Sequence, residues 1–104
     1  MALESSFQAR LIKELKKTFK GSIVTKMDSG HIQGIPDLLI LYKDKWATLE
    51  CKKYASAKKQ PNQLYYVDKM NSMSFSRFIS PENKEAVLNE LKEFFIQSTP
   101  GTKG

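Results

Sequence analysis

Cysteine and histidine are nearly absent from this chain of 104 residues, which has one of each, Cys51 and His31. A lone cysteine excludes an intramolecular disulfide and any cysteine-based zinc cluster, and it suits a reducing compartment. A lone histidine excludes an imidazole-rich metal centre. Any bound metal must then rest on oxygen ligands, which favours Mg²⁺ or Mn²⁺ over Zn²⁺. Acidic residues are in deficit too, 11 Asp and Glu against 17 Lys and Arg, for a net charge of +6. No apolar run approaches the ~20 residues of a membrane span. Met1-Ala2-Leu3-Glu4 also lacks the basic-then-apolar pattern of a secretory leader. A cytoplasmic protein is expected.

The sequence has what a folded domain needs: 40% hydrophobic residues, 11% of the chain aromatic, and no internal repeat or low-complexity tract. One domain over residues 1–97 is expected, followed by a disordered tail, 98–104. Leu3 to Lys20 reads as a helix, because Leu3, Phe7, Leu11, Leu15 and Phe19 fall on one arc and Gly21 supplies a stop. Ser22 to Met27, Asp37 to Tyr42 and Trp46 to Lys52 read as strands, the last two joined by a short hairpin. Pro61 opens a helix to about Met70, and Phe75 to Ile79 is a fourth strand. Ser80-Pro81-Glu82 has the composition of a helix start, with serine as cap and proline at the first helical position. The helix that follows turns Val87, Leu88, Leu91, Phe94 and Phe95 inward. Helices and strands in that order make an α/β domain.

Two carboxylates and a lysine stand out against this frame. Asp37 opens one strand, and Glu50 and Lys52 lie two apart on the next, so strand alternation sends both side chains to one face. Two acids beside an ammonium suit a divalent metal and a phosphate. The alternative for Asp37 is a turn-favouring aspartate at a strand edge; for Glu50 it is a structural ion pair with Lys52. Glu50 interrupts an otherwise apolar strand, where an unpaired carboxylate costs several kcal/mol. Lys52, Lys53, Lys58 and Lys59 then cluster with Tyr54 nearby and Tyr65 and Tyr66 beyond. They form either a solvated loop or, beside an acidic site, a phosphate-binding stripe. Ser29 and His31 sit on the polar loop before Asp37. Either could reach a phosphate bound at such a site, although a loop histidine without a role is the simpler reading of His31. Glu4, at about 100° per residue, falls near the centre of the Phe7–Leu11–Leu15 arc, unless the helix begins at Ser5 or Ser6 and leaves it outside.

Pro36-Asp37 followed by Glu50-Cys51-Lys52 resembles the signature of the PD-(D/E)XK nuclease superfamily. With Gly34 two residues before Pro36, an early helix bearing Glu4 and a later Gln63, the chain looks most like compact, stand-alone VRR-NUC and archaeal Holliday-junction-resolvase proteins. The resemblance spans about Glu4 to Phe95. It implies a restriction-endonuclease-like core, a central mixed sheet of about four strands flanked by helices. It also implies roles: Asp37, Glu50 and the Cys51 backbone carbonyl on a metal, Glu4 completing that site, and Lys52 as the catalytic lysine. Gln63, with Tyr66 one turn on, would face the substrate, the alternative being a polar residue that merely starts a helix. Ser29, His31, Lys53, Lys58, Lys59 and Tyr66 are the candidate DNA contacts.

The expected function is Mg²⁺-dependent hydrolysis of DNA, with Mn²⁺ able to substitute. A small domain has little surface for reading base sequence, since specific DNA interfaces bury on the order of 1,000 Å² or more. Two-fold pairing would double the basic surface and match a four-way junction, and the resolvase-like relatives are homodimers. Trp46, Met70, Met73, Phe75, Phe94, Phe95 and Ile96 are available for such an interface, although core packing explains each one alone. A nuclease without junction preference, a DNA-binding module without catalysis and a protein-interaction domain are the competing readings.

Overall fold

The computed structural model describes residues 3–97, with side chains from Ser6 onward. The tail at 98–104 and the Glu4 side chain lie outside the described residues. Among the described residues three helices and four strands follow one another as α1 (Leu3–Thr18), β1 (Ile23–Lys26), β2 (Leu38–Tyr42), β3 (Lys45–Cys51), α2 (Pro61–Met73), β4 (Ser76–Ile79) and α3 (Lys84–Ile96). The strands form one mixed sheet in the order β1-β2-β3-β4. The first three are antiparallel neighbours, and β4 joins β3 in parallel after the α2 crossover. Among the described residues, no helix is long and apolar enough to cross a membrane.

Strand register decides which face each side chain serves. Leu38 pairs with Leu49 and Ile40 with Ala47, and all four are buried on one face of the sheet. α1 and α3 supply the other half of that core with Phe7, Leu11, Leu15, Val87, Leu91 and Phe95. Phe19, Tyr42 and Phe95 close it as a triangle of tilted or edge-on rings with centroids 5.1–5.4 Å apart. The opposite face carries Thr48 and Glu50, and there α2 lies across β3 and β4. Thr48 Oγ1 donates to Ser76 Oγ at 2.7 Å beneath the Met70 sulfur. Glu50 therefore sits on the thinly covered face, at the mouth of the sheet rather than in its apolar core.

The last helix begins later than Ser80-Pro81-Glu82 suggests. Ser80 is buried and gives its N–H to Asn83 Oδ1 at 2.7 Å, so Pro81 to Asn83 form a turn and Asn83 takes the cap position before Lys84. Glu82 instead accepts from the Ala55 N–H at 2.8 Å and pins the lysine loop. Phe75 and Phe95 belong to the core, and Phe94 packs against Phe75 with centroids 5.3 Å apart, which takes them out of the set available for an interface. Met73 and Ile96 remain exposed, and Trp46 and Met70 are half-buried.

Candidate active site

Asp37 is the bend residue just ahead of β2, and its backbone carbonyl still accepts from Met27 N–H at 2.8 Å, extending the β1 ladder. Its carboxylate turns across to the end of β3, where Oδ2 accepts the Cys51 N–H at 2.9 Å. On β3, Thr48 N–H points to β4, so by strand alternation Cys51 turns its N–H and its carbonyl to the β2 side, toward Asp37. The Cys51 side chain is fully buried in the core, a small hydrophobe.

Glu50 is only 3% exposed and points the opposite way from Cys51. Gln63, in the first turn of α2, reaches it: Nε2 donates to Glu50 Oε2 at 2.8 Å. The same amide accepts from Lys52 Nζ at 2.7 Å and from the Gln60 N–H at 3.0 Å through Oε1. These partners fix the amide orientation, since a flip would set NH₂ against an ammonium and an oxygen against a carboxylate. Lys52 lies one residue past β3; its N–H continues the parallel ladder to the Ile79 carbonyl at 2.8 Å, and its ammonium also donates to the Lys58 carbonyl at 3.0 Å. Glu50, Gln63 and Lys52 thus form one hydrogen-bonded chain, and the Asp37–Cys51 contact ties the second acid to the same strand end.

Asp37 and Glu50 line a single cleft of about 570 Å³ with Ser29, Gln33, Gly34, Ile35 and the α2 start, Gln60 to Gln63. Gln33, Gln60 and Asn62 were not signalled by sequence pattern. They arrive because the loop before Asp37 packs onto the N-terminus of α2, and the sequence signal for that approach is Gly34. Its φ is +90°, and a Cβ there would stand 2.4 Å from Asn62 Cβ. Gly34→Ala is expected to destabilise the fold by about 1–3 kcal/mol and to push the Ser29–Gln33 loop off α2. Calorimetry should show a larger Tm loss than for Gly21→Ala, where φ is +91° but nothing lies within 4 Å.

The remaining candidates scatter. Ser29 faces the cleft. His31 and Tyr66 lie in an adjoining groove with Ile32 and Tyr65. Lys53 and Lys58 are exposed on the loop. Lys59 turns away, its ammonium 5.2 Å from the centre of the Phe78 ring and 3.4 Å from the Ala55 carbonyl. Glu14 is tied to α3 by Lys84 at 2.8 Å, a surface role.

No protein-family model matches the sequence, and no curated protein matches it significantly. A solved structure described as a VRR_NUC domain superposes with a TM-score of 0.68 at 23% identity, covering 86% of this chain and 97% of that one. A mixed sheet of four strands flanked by three helices, aligned over nearly all of that domain, gives this chain the VRR_NUC fold.

Proposed function

We propose that this chain is a metal-dependent DNA endonuclease of the PD-(D/E)XK type, acting on branched DNA as a homodimer. Asp37 and Glu50 lining one cleft, with Lys52 tied to Glu50 through the Gln63 amide and Asp37 to the Cys51 N–H, is the observation that carries this reading. The donor set suits a hard cation. Asp37 and Glu50 are the carboxylates facing the cleft, and no group of three or more His, Cys, Asp or Glu gathers among the described residues. Mg²⁺ commonly takes one or two carboxylates and completes its shell with water and phosphate oxygens, and Mn²⁺ can substitute. The Cys51 carbonyl would add a ligand, with Glu4 a further candidate. Such an ion, when bound, supplies Lewis acidity to the phosphate and a more acidic water.

The chain's own groups do the rest. Lys52, held by Gln63 and the Lys58 carbonyl, presents its ammonium to the phosphate oxygen on which charge accumulates. The first turn of α2 contains no acid and lines the same cleft, so its positive dipole end would favour the same anion. Water adds to phosphorus as the opposite P–O bond breaks, leaving a phosphate monoester and a hydroxyl. Exposed Lys53 and Lys58 would hold flanking phosphates.

An apolar strip supports the dimer. Ile23, Leu41 and Trp46 are cross-strand partners on the same sheet face as α2, beside the part that α2 covers, with Ile23 60% and Leu41 40% exposed. A second copy is the occupant that would bring two clefts to one junction. Labelled four-way junction, flap, single-strand and linear duplex of equal length, incubated with Mg²⁺, test the reading. Paired nicks in the junction, tighter junction binding and a dimer by light scattering that Leu41→Glu converts to monomer are expected. A monomer cutting linear duplex as readily would reduce the proposal to a general nuclease, and no cleavage of any substrate would end it.

A further inference from the structure

We infer that the groove lined by His31, Tyr65 and Tyr66 is a stacking subsite for an unpaired DNA base next to the phosphate held in the Asp37–Glu50 cleft. It rests on the nuclease reading above and adds to it a preference, among branched DNAs, for those in which a base beside the scissile bond is unpaired. Groove and cleft share Gln33 and Asn62, so the two adjoin along those residues. The groove measures about 630 Å³, within the ~300–1,000 Å³ of small-ligand clefts.

Its lining fits a base better than a backbone. Tyr65 is 56% exposed, yet its ring meets that of Tyr66 edge to face, centroids 4.9 Å apart at 83°. That contact restrains Tyr65 while leaving much of it accessible, so little freedom is lost when a base stacks on it. Gln33 and Asn62 offer amide donors and acceptors to a base edge, and none of the six lining residues is acidic. Lysine and arginine are absent from the lining too, so phosphate capture falls to the cleft and the lysine loop, and ring stacking to the groove. Stacking on an aromatic ring suits any base but requires a free π-face, which a paired and stacked base in duplex lacks.

The test uses blunt duplex and the same duplex with a short overhang carrying 2-aminopurine, at low salt in EDTA so that no strand is cut. Quenching of 2-aminopurine is expected on binding, together with preference for the overhang over blunt DNA in competition. Tyr65→Ala should abolish the quenching and weaken overhang binding about five- to a hundredfold. Tyr65→Phe should retain both, because it keeps the ring. Tyr65 is exposed, so truncation does not threaten the core. If blunt duplex is bound, and cut once Mg²⁺ is added, but 2-aminopurine is not quenched or Tyr65→Ala behaves as the parent, the subsite falls and the nuclease reading stands. If neither DNA binds, both fall.

Discussion

Glu50→Gln, Asp37→Ala and Lys52→Ala are each expected to slow DNA cleavage by about 10²–10⁴-fold while leaving the domain folded. Asp37 and Glu50 line one cleft, Lys52 joins Glu50 through the Gln63 amide, and none of the three contributes to the apolar core packed by α1 and α3. Glutamine at 50 keeps the bulk of a residue that is 3% exposed, so any lost activity reflects charge and not a cavity. DNA affinity should hold or rise in the two acid variants, since each removes a negative charge facing phosphate. Lys58→Ala acts on the other axis. Its side chain is exposed, and its loss should weaken binding to all substrates and reduce the salt slope by about 0.9 for one phosphate contact. Single-turnover rates, filter binding across a salt series and far-UV circular dichroism separate these effects. Wild-type cleavage by Glu50→Gln would place the chemistry elsewhere.

The parts legible in the sequence are those that local periodicity determines. Phe7, Leu11 and Leu15 are buried along α1 because helical spacing stacks them on one face, and Gly21 follows the helix with φ at +91°. Glu50 and Lys52 reach the same amide because a strand repeats every two residues. Ser80-Pro81-Glu82 misleads because turns and helix starts favour the same residues, and the Asn83 side chain, three positions on, decides between them. Lys58 and Lys59 look alike in sequence, but the irregular segment between β3 and α2 has no period from which to read direction, and Phe78 on β4 draws Lys59 away. Gln33, Gln60 and Asn62 reach the cleft only through contact between a loop and a helix start far apart in sequence. Gln63 lies between these cases. Its place at a helix start is local, while its bridge between acid and lysine depends on where the crossover sets α2.

Cleavage is expected to require added Mg²⁺ or Mn²⁺, to stop in EDTA, and to fail with Ca²⁺ although DNA still binds. Asp37 and Glu50 offer oxygen to the cleft, the Cys51 sulfur is buried on the other face, and among the described residues that line the cleft there is no soft donor to favour zinc or copper. Mg²⁺ demands near-octahedral geometry at about 2.0–2.1 Å, whereas Ca²⁺ takes six to eight ligands at roughly 2.3–2.6 Å with looser angles. Two carboxylates braced by the Cys51 N–H and the Gln63 amide would hold either ion, and the looser shell of the larger one would fix the reacting groups less well. Binding can also be read without turnover. Mg²⁺ should raise Tm in the parent by an amount that grows with its concentration, because a ligand of the folded state stabilises by RT ln(1 + [L]/Kd). Asp37→Ala should lose most of that rise, and Lys52→Ala should keep it, since the ammonium is no ligand. Undiminished cleavage in EDTA would remove the metal from the mechanism, and an equal Tm rise in Asp37→Ala would move the ion to other residues.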